Sequence, residues 1–152
     1  MKNIFRHLTS LMVAAWAGSL WAVGYLAVPV LFFTQPDRQL AGMLAGRMFT
    51  LVFYVGTVCG TSLLLYHAVA SGRTALKAAV FWIAAAMLLL TLVILCGIQP
   101  EMNDLKLQAL PLDVMHSEFA ARFDTLHHVS STIYSIISLL AVALVIKAHP
   151  QK

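Results

Sequence analysis

Chemistry in this sequence could come from a small set of side chains. His116, His127 and His128 supply imidazoles, Met43, Met48, Met102 and Met115 supply thioethers, and Arg47 and Asp124 supply opposite charges beside them. Imidazole and thioether together suit copper better than magnesium or calcium. Adjacent histidines on a helix point about 100° apart, and no His-x3-His pair occurs, so the spacing alone is not a metal motif. Two histidines from different helices could instead hold haem b as axial ligands. His67 and His127 fall near opposite ends of their apolar segments, which argues against a shared iron, and His67 reads as an interfacial residue. A third reading needs no cofactor: Arg47 pairs with Asp124 and so neutralises a guanidinium that lies two turns inside an apolar segment. Its alternative is that Arg47 snorkels to the headgroups.

A polar stripe runs on from these residues. Asp124, His128, Ser131, Ser135 and Ser138 follow one another at spacings of four, three, four and three, one face of a helix. In lipid such a stripe must face protein or water. The expectation is that companion helices wrap it.

The elements that must position these residues are membrane spans. Of the 152 residues 61% are hydrophobic and 11% charged, outside the range of soluble domains. No Asp, Glu, Lys or Arg occurs between Arg6 and Asp37, Arg47 and Arg73, Lys77 and Glu101, or Asp124 and Lys147. Each gap exceeds the roughly 20 residues that a helical span needs. The expected fold is all-α: one polytopic domain over residues 1–152, an antiparallel bundle of four transmembrane helices spanning about 8–33, 40–70, 76–98 and 120–147. The lipid bilayer is its first partner.

Charge sets the orientation. Lys2, Arg6, Arg73, Lys77, Lys147 and Lys152 lie on one side of that topology, and all six acidic residues lie on the other. By the positive-inside rule both termini are cytoplasmic and the acidic loops face out. Basic residues scattered at span ends do not make a nucleic-acid surface. The basic start followed by an apolar run also fits a secretory signal, but the run continues to Phe33, too long for a signal core, and reads as an uncleaved span. Cys59 and Cys96 fall at different depths and read as packing residues, not a disulfide.

Local signals complete the layout. Ala14, Gly18 and Ala22 in the first span, and Gly42 and Gly46 with Gly56 and Gly60 in the second, are small residues four apart that allow helices to approach closely. Pro29 should bend the first span near its outer end. Pro100 should end the third. Asp113 is placed to cap a continuous fourth helix of about 35 residues, protruding outward, with Glu118 and Arg122 paired one turn apart. Nucleophile elbow, phosphate loop, HExxH and CxxC are all missing, so hydrolase or kinase chemistry has no support.

Trp16-Ala-Gly18, Ala27-Val-Pro-Val-Leu-Phe32, Ala41-Gly42 through Arg47-Met-Phe49, and Phe123 through Leu126-His127 with Ser130 resemble the bacterial branch of the transmembrane-protein-205-like family, an integral membrane domain of unknown function. The four-helix layout is more distantly similar to copper-resistance protein D and to bacterial protoporphyrinogen oxidase. The resemblance implies a four-helix membrane bundle in the inner membrane of a bacterium and singles out Pro29, Arg47, Phe49 and His127, without implying a reaction. Three functional expectations stand together. An outward Arg47, Asp124, His127, His128 and Ser131 cluster binds or passes a small cation such as copper, with His116, His127 and His128 as ligands; or the chain is a haem-binding redox protein; or it is a non-enzymatic structural subunit or assembly factor, joined to its own copies or to another membrane protein.

Overall fold

The computed structural model describes residues 2–148. Lys152, one of the six basic residues assigned to the inner side, lies outside them, and the side chains of Lys2, Arg6 and Arg73 are likewise not described. Four helices are long and apolar enough to cross a membrane: α1 (His7–Thr34), α2 (Arg38–Ala70), α3 (Ala79–Ala109) and α4 (Ala120–Ala148). The chain is therefore a multi-pass membrane protein of the all-α class, with no strand among the described residues.

Short links join neighbours. The Asp37 carboxylate accepts the amides of Gln39 and Leu40 at 2.9 and 3.0 Å, which satisfies two free donors at the start of α2. At its other end the chain turns at Gly72, whose φ of 51° suits a residue without a Cβ, and a 3-10 turn over Gly72–Lys77 leads into α3. Around the bundle α1 packs against α2 and α4, and α3 packs against the same two, so α2 and α4 stand diagonally opposed.

The centre is a packed apolar layer. Trp16, Leu20, Phe53, Leu63, Met87, Ile94, Ile137 and Leu144 are fully buried. Trp16 lies where Gly56 and Gly60 leave room, since a Cβ at those positions would stand 2.5 and 2.8 Å from its ring. That glycine pair therefore works as the sequence suggested. Ala14, Gly18 and Ala22 do not serve this within the chain: they are exposed on α1, and among the described residues a Cβ on Gly18 would meet nothing within 4 Å. Lipid-facing positions such as Leu26, Val58, Leu89 and Leu139 are as apolar as the core, so close packing rather than water exclusion holds the helices together.

Helices α1 and α3 carry the same irregularity. A π-helical turn occupies Val23–Ala27 in α1 and Val93–Ile98 in α3. Each ends immediately before an X-Pro step, at Val28-Pro29 and Gln99-Pro100. The amides of Val28 and Gln99 bond five residues back, to Val23 and Ile94. A proline ring inside an α-helix strikes the carbonyl four residues earlier, and the wider turn gives that carbonyl room. Pro100 consequently does not end α3, contrary to expectation. The helix runs on to Ala109.

That extension replaces the long rod expected of α4. Asp113 caps only a short 3-10 turn, Val114–His116, through the Met115 amide at 3.0 Å. Helix α4 proper begins at Ala120. Arg122 pairs not with Glu118 but with Glu101 on the α3 extension, its Nε donating at 2.8 Å. A small second core of Leu105, Ala109 and Val114, flanked by Phe119, Phe123 and Leu126, seats the extension against α4.

Candidate functional site

The N-terminal ends of α2 and α4 and the C-terminal end of α3 meet around Lys106. Its ammonium donates to the Gly42 carbonyl at 3.3 Å and stands 5.4 Å from the centre of the Phe123 ring, a cation–π contact. Gly46 lies below, where a Cβ would come within 3.6 Å of the same nitrogen. A Cβ at Gly42 would meet nothing within 4 Å among the described residues and one at Gly46 only this ordinary contact, so the packing members of this turn are the buried Ala41 and Ala45. Asp113 and His127 lie within electrostatic range of Lys106. Close by, the Thr50 hydroxyl donates to the Gly46 carbonyl at 2.9 Å and lies 3.4 Å from the Gln99 amide oxygen.

Lys106 was not singled out by the sequence. It sits in a stretch that the expected helix break at Pro100 left outside the bundle. The available signal was the Leu105 and Ala109 pair, four apart, which marks a buried helix face on either side of it.

The residues that were singled out separate. Arg47 is exposed on α2 and makes no ion pair among the described residues; Asp124 pairs with His128 on its own helix, at 3.5 Å. The expected Arg47–Asp124 bridge is absent within the chain because the two side chains leave diagonally opposed helices on their outward faces. His127 stacks on Phe123, with ring centroids 6.2 Å apart and planes 9° from parallel. His116 is exposed on the 3-10 turn. Pro29 is exposed beyond the first π turn, and Phe49 packs edge-on against Tyr134 at 5.1 Å.

The α4 stripe is split. Ser138 is buried, but Asp124, His128, Ser131 and Ser135 face away from the bundle. Companion spans within one chain do not screen it, because the inward face of α4 is taken by Tyr134, Ile137, Ala141 and Leu144. The Ser135 hydroxyl turns back to the Ser131 carbonyl at 3.0 Å, which lowers but does not remove the cost of its exposure to lipid.

Deeper in the bundle, sequence reasoning missed Tyr134. Its hydroxyl donates to the Leu20 carbonyl at 2.5 Å, and the Gly24 amide faces the same oxygen, so the phenol bridges α1 at the start of its π turn. Gly24 makes this contact fit, because a Cβ there would stand 2.6 Å from the ring.

Metal ligation has no framework in this arrangement. Among the described residues no three His, Cys, Asp or Glu side chains come together to hold an ion, so His116, His127 and His128 do not form the expected ligand set. Haem fares no better: His67 is at the far end of α2 against Tyr66, and none of the described histidines enters the packed core that a macrocycle would have to share.

A family model described as a domain of unknown function, DUF4149, matches residues 11–111, two thirds of the sequence. The chain belongs to the DUF4149 family. The match takes in α1, α2 and α3 with its extension, and with them Pro29, Gly42, Gly46, Arg47, Phe49 and Lys106. It stops before α4, so Tyr134 and the Asp124–Ser135 stripe lie beyond the part of this DUF4149 protein that the family defines. No curated protein and no solved structure matches the chain.

Proposed function

We propose that this protein is a non-catalytic subunit of a bacterial inner-membrane assembly, with both termini cytoplasmic, and that its outward polar faces are its contact surfaces. One observation carries the reading: Asp124, His128, Ser131 and Ser135 on α4, and Arg47 on α2, all point away from a core already filled by apolar side chains. Charged and hydroxyl groups on a lipid-facing surface are costly, and partner helices lower that cost. The likeness to the transmembrane-protein-205-like proteins is part of the same proposal, since it also attaches no reaction to the fold.

Passage of a small cation, copper included, fits this geometry only where a neighbour closes the α4 stripe into a path. Within one chain Trp16, Met87, Ile94 and Ile137 fill the centre. The test is chemical cross-linking in native membranes followed by denaturing size analysis. The wild-type chain is expected in a product larger than one chain, and Arg47→Asp and Asp124→Arg are expected to lose that product. A wild-type chain that stays single sinks the reading.

A further inference from the structure

The two outward polar faces are complementary to each other. On α2 the exposed residues include Arg47 and, seven further on, Tyr54. No hydrogen bond engages the Tyr54 hydroxyl among the described residues, and the residue is 56% exposed. On α4 the exposed polar residues include, along one stripe, Asp124, His128, Ser131 and Ser135, with Asp124 and His128 side chains 52% and 76% open. One face offers a guanidinium and a phenol, the other a carboxylate and hydroxyls.

Their depths agree as well. Helices α2 and α4 both run from the outer to the inner side. Lys106 touches Gly42 and Phe123 together, so those two residues are level. Five residues inward from each stand Arg47 and His128. Lower down, the rings of Phe53 and Tyr134 are 6.2 Å apart. One residue inward from each stand Tyr54 and Ser135. A long side chain at Arg47 needs to climb only one turn to reach Asp124, the direction in which it would snorkel. Copies of a chain in one membrane share their depth, so these matches hold between neighbours without adjustment.

We infer that copies of this chain associate side by side, the α2 face of one against the α4 face of the next, with Arg47 paired to Asp124 and Tyr54 meeting Ser131 and Ser135 across the contact. The inference rests on the reading that these faces are contact surfaces, and it names their occupant. Because α2 and α4 are diagonal in the bundle, the two halves of the contact use different surfaces of the chain. Such a head-to-tail contact gives a ring of more than two copies, or an open row, and not a two-fold dimer. The ion pair missing inside the chain is thereby made between chains.

Engineered cysteines test this in native membranes, in the full chain with Cys59 and Cys96 replaced by alanine. Tyr54→Cys and Ser135→Cys in the same chain are expected to give a ladder of disulfide-linked dimers, trimers and larger species. Either substitution alone is expected to give none. A strong dimer band from Ser135→Cys alone, or from Tyr54→Cys alone, means a symmetric contact and overturns the inference. Charge reversal supplies a second arm: Arg47→Asp and Asp124→Arg each abolish the ladder, and the two together in one chain restore it, which also shows that the reversed chains fold. Failure of the double reversal to restore the ladder overturns the Arg47–Asp124 pairing. Should no self-linking occur while the chain runs with a different membrane protein in fixed ratio, the inference fails and the subunit reading survives. A chain that stays single throughout overturns both.

Discussion

Tyr134 reaches from α4 across to the Leu20 carbonyl of α1, where its hydroxyl and the cleared space at Gly24 hold the two helices at the π turn. The carbonyl has no water to turn to at this depth, so the bond matters more than its length suggests. Tyr134→Phe keeps the ring and removes the buried donor. The expected cost is about 1–3 kcal/mol, read as a lower thermal unfolding midpoint in detergent. Gly24→Ala is expected to cost at least as much, since its methyl would stand 2.6 Å from a ring wedged between Phe49 and Phe53. A Gly24→Ala protein as stable as wild type would mean that the phenol can leave without loss.

Trp16 and the Gly56–Gly60 pair make the second contact of this kind. A Cβ on Gly56 would meet the indole Nε1 at 2.5 Å, and the ring it would strike is fully buried between α1 and α2. Gly56→Ala is expected to destabilise the protein by roughly 1–3 kcal/mol, as overpacking of a filled core does. Trp16→Phe in the same chain should recover part of the loss, because the smaller ring vacates the nitrogen's position. Equal midpoints for the single and double variants would show that the two positions are not coupled.

These contacts mark the division between what the sequence reveals and what it conceals. Charge-free gaps announce the four spans because a charge in hydrocarbon is costly wherever it falls, so the signal is independent of packing. The close approach at Gly56 and Gly60 was legible for a similar reason: small residues four apart mean proximity, even when the partner is unknown. The face that α4 presents was not legible. A helix apolar around most of its girth has two candidate inner faces, and the Tyr134, Ile137, Ala141 and Leu144 face displaced the hydroxyl stripe from the interior. Pro100 misled because a proline is normally a stop, and nothing in Val-Ile-Leu-Cys-Gly-Ile announces the π turn that carries the helix past it.

The Glu101–Arg122 bridge ties the α3 extension to α4, yet its side chains are 38% and 67% exposed. Solvent and salt screen a pair in that position, and ordering two long side chains offsets most of the attraction. Glu101→Gln is therefore expected to change stability by less than about 1 kcal/mol, and raising salt should leave the wild-type midpoint nearly unmoved. A large loss would mean that the bridge, rather than the Leu105–Ala109–Val114 cluster, seats the extension.

Lys106 and Arg47 exchange the roles that their positions in the sequence suggest. Arg47, inside a predicted span, looks like the cation that must be paired, and Lys106, in a polar connection, looks dispensable. In the folded chain Arg47 is exposed with no ion-pair partner among the described residues, whereas Lys106 lies between Gly42 and Phe123. Lys106→Ala removes a donor from the Gly42 carbonyl and a cation from the ring, and leaves a gap above Gly46. The expected loss is about 1–2 kcal/mol. Arg47→Ala in singly dispersed chains should stay within about 0.5 kcal/mol of wild type, as a surface substitution does. Lys106→Met, which retains the stem but not the charge, separates packing from electrostatics: recovery of most of the loss would assign the site to packing. If Arg47→Ala proves the more damaging in dispersed chains, the guanidinium has an internal partner and the diagonal arrangement of the two outward faces is wrong.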